Sequence, residues 1–541
     1  MKFWYLTTFI LLIQNLLSGQ NEGRLQEKDV FKAISRGNIS AIGEFIRHNP
    51  VNGHYGPKEM TLLSQAIVAK SIISINFLLQ NGADPDLPGN GTTPLVHAIR
   101  RNQPAIVLRL LRSGANPDAI INGGPTALAF ASERGKLAFV KILVEWGADA
   151  NIRNKAGFTA LDLANASNHR EVAQYLVKTI EQRHFFATIP PITDGPHIEW
   201  YSDSTVRMFY LKNDSVKNYP IMRCDYFVVG KEKTVAGFAG DTAIYPLFLP
   251  KRSDPWEYQD INKVIALGDI HGNCGAFRKF LINTGVINES LEWTFGNGHL
   301  VFLGDLFDRG DEVTESLWLI HQLDIKSRKH GGRVHMLLGN HEVMALINDI
   351  RYISQKYRLL TNYFSKDYAS FFDQRTELGQ WLRTRNTIVS INGCVFGHAG
   401  LSAEMMRNNL TIERINFLLQ NFLAKEPTHP NRFPEETNLI LGKFGPLWYR
   451  GYIYDFQDIG KISQEEVNQI ASFYGASKFV IAHSFVDRLS ALYDEKVIAI
   501  DVPIDPQGVV AEALLIENGK YFRLKNDGTK ELLIERQPDD K

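Results

Sequence analysis

Hydrophobic residues follow three different patterns along the 541-residue chain. A single apolar run, Phe3–Leu17, stands near the amino terminus. From about residue 29, small and apolar positions recur every 32 or 33 residues, which predicts a stack of repeated helical units. Beyond residue 262, five short apolar runs have the length of buried strands. The pattern therefore predicts a leader, a repeat region and a region of mixed strands and helices.

The amino-terminal run has the features of a secretory signal peptide. Lys2 precedes the apolar stretch, and small residues end at Gly19 before a polar segment begins. The run is about 15 residues long and contains Gln14 and Asn15, whereas a spanning helix needs about 20 apolar residues. We predict a signal peptide over residues 1–19, no stable membrane span after its removal, and export to a periplasm or out of the cell. An uncleaved anchor is the alternative.

Four Thr-x-Leu tripeptides mark the repeat. They begin at Thr61, Thr93, Thr126 and Thr159, and an alanine follows each threonine at the same offset. Gly-Ala-Asp or Gly-Ala-Asn recurs downstream with the matching period. A small alanine lets two helices approach closely, and a glycine ends a helix in the left-handed conformation. Each unit is therefore predicted to be a turn and two antiparallel helices, and about five units stack to bury their apolar faces.

These residues resemble ankyrin repeats over residues 28–180. The resemblance implies an all-α solenoid that offers a docking surface to a protein partner. A spacer or an intramolecular brace is the other interpretation, and the sequence names no partner. Residues 181–260 differ, because proline-containing turns separate β-rich runs such as Val206–Leu211 and Tyr226–Val229. We predict a β-rich connecting segment there, packed against a domain that spans residues 261–530.

Polar residues stand at the carboxyl end of each of the five predicted strands. The strands are Val264–Leu267, Leu300–Leu303, Val334–Leu338, Cys394–Phe396 and Phe479–Ala482. In α/β sheets, ligands bind beyond the carboxyl ends of the strands. We therefore expect the polar residues at these strand ends to lie close together in one site. They are Asp269 and His271, Asp305, Asn340 and His341, His398, and His483.

The mixture of side chains in this set indicates metal ions. Carboxylate, amide and imidazole ligands without a thiolate suit a pair of Mn, Fe or Zn ions. Asp305 has two carboxylate oxygens and can bridge two cations. Two ions about 3.5–4 Å apart lower the pKa of a bridging water and hold both the attacking and the leaving oxygens. The predicted chemistry is the hydrolysis of a phosphate ester.

The motifs resemble those of the metallo-dependent phosphoprotein phosphatases within the calcineurin-like phosphoesterases. The resemblance implies an α/β domain built as a β-sandwich flanked by helices. The matching motifs are Gly268-Asp269-Ile270-His271-Gly272, Gly304-Asp305-Leu306-Phe307-Asp308-Arg309-Gly310, Gly339-Asn340-His341-Glu342, Gly397-His398-Ala399-Gly400 and Ala482-His483.

The same resemblance implies a role for each residue. Hydrolysis would proceed by direct attack of a metal-bridging hydroxide on a phosphoprotein, without a phosphoenzyme. His341 would be the general acid, Asp308 would orient it, and both Arg309 and Arg450 would bind the phosphoryl oxygens. The first metal ion would be held by Asp269, His271 and Asp305, and the second by Asp305, Asn340, His398 and His483.

Two further motifs resemble the Shewanella-like branch of this family. They are Trp381-Leu382-Arg383 and Leu447-Trp448-Tyr449-Arg450-Gly451-Tyr452. Some members of that branch act on phosphotyrosine, so the preference between phosphotyrosine and phosphoserine or phosphothreonine stays open. An aromatic-rich insertion lies between Val343 and Asn386. It is either a wall over the cleft that receives an aromatic substrate or a small helical core.

Net charge excludes one class of partner, and two other functions compete with the phosphatase. The chain has 59 Lys and Arg against 59 Asp and Glu, so no overall field favours nucleic acid. A diadenosine-tetraphosphate or other nucleotide hydrolase is one alternative, although those enzymes usually lack the aspartate that stands here as Asp308. An ankyrin adaptor with an inactive phosphatase domain is the other, but such a protein would be expected to have lost a ligand.

Overall fold

The computed structural model describes residues 26–120, 124–187, 191–214, 219–237, 241–247, 253–425, 434–456, 458–503, 510 and 512–534. The chain divides into two compact units, residues 1–193 with 210–225 and residues 194–209 with 226–541. Among the described residues, no helix is both long and apolar enough to cross a membrane. The signal peptide over residues 1–19 lies outside the described residues and stays a prediction.

The first unit contains five successive helix pairs within its described residues. A short antiparallel sheet, β1 (His54–Tyr55) and β2 (Met60–Thr61), precedes the second pair. The pairs are α1 (Glu27–Arg36) with α2 (Ile39–His48), α3 (Leu62–Val68) with α4 (Ile72–Gln80), α5 (Pro94–Arg100) with α6 (Pro104–Arg112), α7 (Ala127–Glu133) with α8 (Leu137–Glu145), and α9 (Ala160–Ala166) with α10 (Arg170–Ala187).

The repeated threonines cap the first helix of four of these pairs. The hydroxyl of Thr61, for example, accepts the backbone N–H of Ser64 at 3.0 Å, which satisfies a donor that the first turn leaves unpaired. The alanine of each repeat is fully buried where the helices meet: Ala66, Ala98, Ala131 and Ala164 are all 0% exposed. The predicted all-α solenoid is confirmed, because the recurring residues perform the packing and capping that the period requires.

Aspartate side chains link successive repeats. The backbone N–H of Asn116 donates to the carboxylate of Asp86 at 2.9 Å, and the N–H of Asp149 donates to Asp118 at 2.7 Å. The two contacts span 30 and 31 residues, close to the repeat length. At these two junctions, a hydrogen bond from a backbone N–H to an aspartate links neighbouring repeats in addition to apolar packing.

The start of the connecting segment differs from the sequence-based prediction. The segment was expected to be β-rich from residue 181, but α10 continues to Ala187. No glycine or proline interrupts the chain before Pro190, so nothing ends the helix at the predicted boundary. Three strands follow as one sheet in the order β3 (Asp194–Ser202), β4 (Thr205–Asp214) and β5 (Tyr219–Val228), and then the antiparallel pair β6 (Thr234–Ala236) and β7 (Ile244–Pro246).

Part of the connecting segment packs against the second unit, as predicted. The backbone N–H of Trp200 donates to the carbonyl oxygen of Arg375 at 2.7 Å. Its indole N–H donates to the carboxylate of Glu377 at 2.7 Å. A charged network continues this contact, because Asp194 forms an ion pair with Lys356 at 2.7 Å. Strand β3 thus belongs structurally to the second unit.

Two six-stranded sheets form the centre of the second unit. The strands are β8 (Glu257–Tyr258), β9 (Lys263–Leu267), β10 (His299–Phe302), β11 (Arg333–Met336), β12 (Ile388–Ile391), β13 (Cys394–Gly397), β14 (Lys478–Ile481), β15 (Ser490–Leu492), β16 (Val497–Ala499), β17 (Glu512–Glu517), β18 (Lys520–Lys525) and β19 (Lys530–Ile534). The order of strands in the first sheet is β11-β10-β9-β17-β18-β19, and the order in the second is β15-β16-β14-β13-β12-β8.

Apolar residues from both sheets form a single buried core. Val264 and Val301 of the first sheet share it with Phe396 and Val480 of the second. This arrangement confirms the predicted β-sandwich, and helices flank it. They are α11 (Cys274–Asn283), α12 (Val313–Arg328), α13 (Asn340–Leu346), α14 (Gln355–Phe364), the 3₁₀ helix Tyr368–Phe372, α15 (Glu377–Arg383), α16 (Ala403–Arg407), α17 (Ile412–Ala424), α18 (Glu435–Leu441) and α19 (Gln464–Tyr474).

Candidate metal centre and active site

The polar residues that follow the central strands meet at one edge of the sandwich. Strands β9, β10 and β11 run parallel, so their carboxyl ends lie on the same side. In the other sheet, β13, β14 and β16 are also parallel. The structure brings together the residues that the sequence placed at these ends: Asp269, His271, Asp305, Asn340, His341, His398 and His483.

One cluster gathers around the Nε2 atom of His398. This atom lies 2.9 Å from Asn340 Oδ1, 3.0 Å from His483 Nδ1 and 3.3 Å from Asp305 Oδ2. The Nδ1 atom of the same ring lies 2.9 Å from the carbonyl oxygen of Leu303. Because a carbonyl only accepts, Nδ1 carries a proton, so Nε2 is the ring atom that can offer a lone pair to a cation. Several electron-pair donors that face one point have the chemistry of a cation site.

A second cluster joins His271 to Asp269 and Asp305. The Nε2 atom of His271 lies 3.7 Å from Asp269 Oδ2 and 3.9 Å from Asp305 Oδ2. It is buried and has no hydrogen-bond partner among the described residues. Nδ1 lies 2.9 Å from the carbonyl oxygen of Phe307, which leaves the lone pair at Nε2. Since Asp305 Oδ2 belongs to both clusters, these residues fit a pair of metal ions that share one carboxylate.

By distance alone, His341 could join His271 and Asp305 as a ligand. Its hydrogen bonds indicate another use, because Nδ1 donates to Asp308 Oδ2 at 2.6 Å and Nε2 lies 3.8 Å from Asp305 Oδ2. Burial lowers the pKa of His341, but the hydrogen bond to Asp308 and the charge of Asp305 outweigh it and raise the pKa. A histidine whose pKa is raised in this way and whose Nδ1 is engaged with a carboxylate is suited to donate a proton from Nε2.

Burial sets the protonation of the other side chains. It lowers the pKa of His271 to about 4, and together with a neighbouring imidazole it lowers that of His483 well below the usual range. Both rings are therefore neutral, the form that binds metals. Burial also raises the pKa of Asp269, and the carboxylates of Asp501 and Asp305 add to this effect. At Asp305, neighbouring imidazoles outweigh burial and hold the pKa well below its usual range.

Five residues of the site have left-handed backbone conformations. They are His271, Asp305, Asp308, Arg309 and His483, with φ angles of 48°, 52°, 68°, 64° and 62°. For residues other than glycine this conformation costs about 1–2 kcal/mol each. Such backbone strain clusters at functional sites, where the surrounding structure holds it.

Two arginines flank the clusters. Arg450 donates from Nη1 to the carbonyl oxygen of His483 at 2.9 Å. Arg309 is exposed, and its charge acts on the carboxylate of Asp269 and the ring of His271. A guanidinium binds phosphoryl oxygens in a bidentate manner. The site thus has two cationic side chains close to the clusters that could receive a phosphate group.

Two sequence regions match known families. Residues 262–483 match the calcineurin-like phosphoesterases, and residues 30–121 and 115–184 match ankyrin repeats. The crystal structure of a cold-active protein-tyrosine phosphatase of a psychrophilic Shewanella species is 32% identical, with a TM-score of 0.57. That similarity covers 63% of this chain and 99% of the other. The chain belongs to the calcineurin-like phosphoesterase family.

Curated relatives of this phosphoesterase include two proteins of eukaryotic microbes. An uncharacterized protein of Schizosaccharomyces pombe is 32% identical over 215 residues, which are 38% of this chain and 61% of that protein. Shewanella-like protein phosphatase 1 of Plasmodium berghei is 28% identical over 226 residues, which are 41% of this chain and 61% of that protein. The chain thus spans about three fifths of the length of these relatives. The family implies divalent metal ions, in agreement with the donor set described above.

Glu342 stands in one of the motifs matched in the sequence, but the sequence assigned it no role in the site. It is 0% exposed, and its carboxylate accepts the backbone N–H groups of Asp305 at 2.8 Å, Leu306 at 2.7 Å, Phe307 at 3.2 Å and Gly339 at 2.7 Å. The bond to Gly339, three residues before it, is typical of a helix cap. An acidic residue three positions after that glycine is the local signal that could have revealed its role.

Asp501 is the second residue that was missed. It follows β16, and burial raises its pKa to about 6, with the neighbouring carboxylate of Asp305 adding to the effect. The observed strand ends at Ala499, so Asp501 stands beyond it, as the metal-ligand candidates do beyond theirs.

The aromatic insertion of the phosphoesterase is mostly a small helical core. Tyr357, Tyr368, Phe371 and Phe372 are buried, with exposures between 0% and 4%. Tyr352 is different, because it is 48% exposed and its ring centroid lies 5.3 Å from that of His341. Of the predicted aromatic wall over the cleft, only the ring of Tyr352 is therefore both exposed and next to the site.

Proposed function

We propose that the protein is a dimetal-dependent phosphoprotein phosphatase that hydrolyses phosphate monoesters. The observation that carries the proposal is the shared carboxylate of Asp305, which joins two ligand clusters beside the acid pair of His341 and Asp308. Ligands for two cations, an acid for the leaving group and flanking arginines are the parts that phosphate ester hydrolysis requires.

The two clusters divide the ligands as follows. Asp269, His271 and Asp305 would hold one metal ion, and Asp305, Asn340, His398 and His483 the other. Ions held there would supply a hydroxide nucleophile at neutral pH and neutralise charge on the phosphoryl oxygens. The donor set suits Mn, Fe or Zn, because it combines oxygen and imidazole ligands and contains no thiolate.

The remaining residues bind and protonate the substrate. Arg309 and Arg450 would hold the phosphoryl oxygens from two sides. His341 would donate its proton from Nε2 to the leaving oxygen, since Nδ1 is engaged with Asp308. Asp308 would fix the ring orientation and stabilise the imidazolium form of the acid.

The relatives support a phosphoprotein as the substrate. One is named a protein-tyrosine phosphatase and another a Shewanella-like protein phosphatase. We propose phosphotyrosine, phosphoserine or phosphothreonine side chains as the substrate class. The ankyrin repeats would serve as a protein-docking arm, since stacked helix pairs build extended surfaces of this kind.

Phosphate release from peptides tests the proposal. The protein is incubated with Mn²⁺ and with phosphotyrosine, phosphoserine or phosphothreonine peptides, and parallel samples contain a chelator. Asp305→Asn is expected to abolish turnover, because an amide cannot bridge two cations. Asp203→Asn, in the exposed turn between β3 and β4, is the matched control and is expected to retain it. No release from any peptide by the metal-loaded protein would overturn the proposal.

A further inference from the structure

Tyr352 is an exposed aromatic ring in contact with the proposed acid. Its ring centroid lies 5.3 Å from that of His341, at an interplanar angle of 54°. Nearly half of its surface is exposed, whereas the His341 side chain beside it is only 4% exposed. Ile347 and Ile350, on the preceding turn, are each 38% exposed. Tyr352 therefore offers exposed apolar surface beside the acid.

The backbone of Tyr352 also contacts the residue proposed to bind phosphate. The backbone N–H of Arg309 donates to the carbonyl oxygen of Tyr352 at 3.0 Å. Ile353, the next residue, is 4% exposed and anchors the turn in the core. The guanidinium of Arg351 lies 5.6 Å from the Tyr352 ring centroid and pairs with Asp349 at 2.7 Å. The backbone of Tyr352 is therefore fixed beside that of Arg309, and its ring lies beside the proposed acid.

The position of the acid determines where the leaving group must lie. The leaving oxygen has to reach the Nε2 atom of His341, so the atoms attached to that oxygen lie beside the same ring. In phosphotyrosine this oxygen is bonded directly to an aromatic ring. In phosphoserine it is bonded to a methylene group, which offers far less area. An aromatic leaving group can reach the exposed face of Tyr352, and a methylene group cannot stack on it.

We propose that Tyr352 receives the aromatic leaving group of the substrate and thereby favours phosphotyrosine over phosphoserine. The inference rests on the proposed phosphatase function. Aromatic pairs with centroids 4.5–7 Å apart contribute beyond their buried area. The expected contribution to selectivity is roughly 2- to 10-fold in kcat/KM.

The test compares two peptides of identical flanking sequence, one with phosphotyrosine and one with phosphoserine. Tyr352→Ala is expected to lower kcat/KM for the phosphotyrosine peptide by roughly 2- to 10-fold and to change the phosphoserine value less than 2-fold. Tyr352→Phe keeps the aromatic ring and is expected to retain the preference for the phosphotyrosine peptide. Tyr201→Ala removes a tyrosine that is 69% exposed outside the site, and it is the matched control.

Inhibition by inorganic phosphate separates a leaving-group contact from a structural role. Phosphate has no aromatic group, so its inhibition constant is expected to be the same in Tyr352→Ala as in the unaltered protein. A weaker inhibition constant, or an equal loss on both peptides, would mean that Tyr352 positions Arg309 or His341, and would overturn the inference. Unchanged phosphotyrosine kinetics in Tyr352→Ala would overturn it while the phosphatase proposal stands. Turnover of neither peptide by the unaltered protein would overturn both.

Discussion

The carboxylate of Glu342 holds the backbone N–H of Asp305 at 2.8 Å. Three further N–H groups, those of Leu306, Phe307 and Gly339, donate to the same carboxylate. One buried side chain thus connects the turn after β10 to the turn after β11. A β-carbon at Gly304 would overlap the backbone nitrogen of Gly339, so the two turns meet closely only because glycine stands at this position. The position of Asp305, the proposed shared ligand, therefore depends on Glu342, which is not itself among the proposed metal ligands.

Glu342→Gln is expected to weaken both the fold and the metal site. The amide has a single acceptor oxygen, and its NH₂ group would face backbone donors. Leaving buried donors unpaired costs about 1–3 kcal/mol each, so we expect a loss of about 2–4 kcal/mol in the free energy of unfolding. Loss of a residue that orients metal ligands lowers metal affinity by about 10- to 100-fold. Chemical denaturation and Mn²⁺ titration calorimetry measure the two effects.

The matched control for this prediction is Glu413→Gln, which changes an exposed glutamate in the first turn of α17. It is expected to leave stability and Mn²⁺ affinity close to those of the unaltered protein. Equal stability and equal affinity in Glu342→Gln would contradict the positioning role of the Glu342 carboxylate.

Asp308→Asn is expected to impair proton donation more than substrate binding. The variant keeps a hydrogen-bonding side chain but removes the charge that stabilises protonated His341. We expect kcat to fall by roughly 10²-fold for a phosphotyrosine peptide, and much less for p-nitrophenyl phosphate, whose leaving group needs little protonation. KM and Mn²⁺ content are expected to change little. Equal losses with both substrates would show that Asp308 does not act through the acid.

A buried histidine pair predicts acid sensitivity of the second unit. His299 Nδ1 and His335 Nε2 lie 3.0 Å apart, and the Tyr258 ring packs against both imidazoles. Burial lowers the pKa of His299 to about 4 and that of His335 well below the usual range. The charges of Asp254, Arg328 and Arg333 also act on the pair.

These pKa values determine whether stability rises or falls with pH. Both histidines titrate near pH 6.5 in the unfolded chain, so the unfolded state binds more protons below that pH. The contribution of the pair to the free energy of unfolding is fully present above about pH 6.5. It falls as the pH decreases towards 4, by up to about 1.4 kcal/mol per pH unit for each histidine. Denaturant midpoints at several pH values measure this slope.

The double variant His299→Asn, His335→Asn is expected to show a flatter pH dependence over this range. His330→Gln, which changes an exposed histidine after α12, is expected to keep the slope of the unaltered protein. An unchanged slope in the double variant would mean that other groups cause the acid sensitivity.

The sequence predicted those parts of the fold that rest on local pattern. Each of the five short apolar runs is a strand, and the residues directly after them meet in space, because the ends of parallel strands share one edge. The repeat period likewise predicted helix pairs, since the capping threonines and buried alanines recur at fixed spacing. In both cases the signal lies within a few residues of the element that it specifies.

The features that the sequence did not predict depend on contacts between distant segments or on the exact end of an element. Glu342 matters because the turn at Asp305, 37 residues away, comes to lie against it. Asp501 faces the site only because β16 ends two residues before it. Tyr352 is distinguished from the other aromatic residues of its insertion by exposure alone, which no local pattern specifies.

The metal content of the purified protein tests the central claim most directly. The protein is loaded with Mn²⁺, freed of excess metal and measured by elemental analysis, alongside Asp305→Asn and the Asp203→Asn control. Two ions per chain are expected in the unaltered protein and in the control. Fewer than two are expected in Asp305→Asn, because Asp305 Oδ2 belongs to both clusters. A full complement of two ions in Asp305→Asn would contradict a centre built on that shared carboxylate.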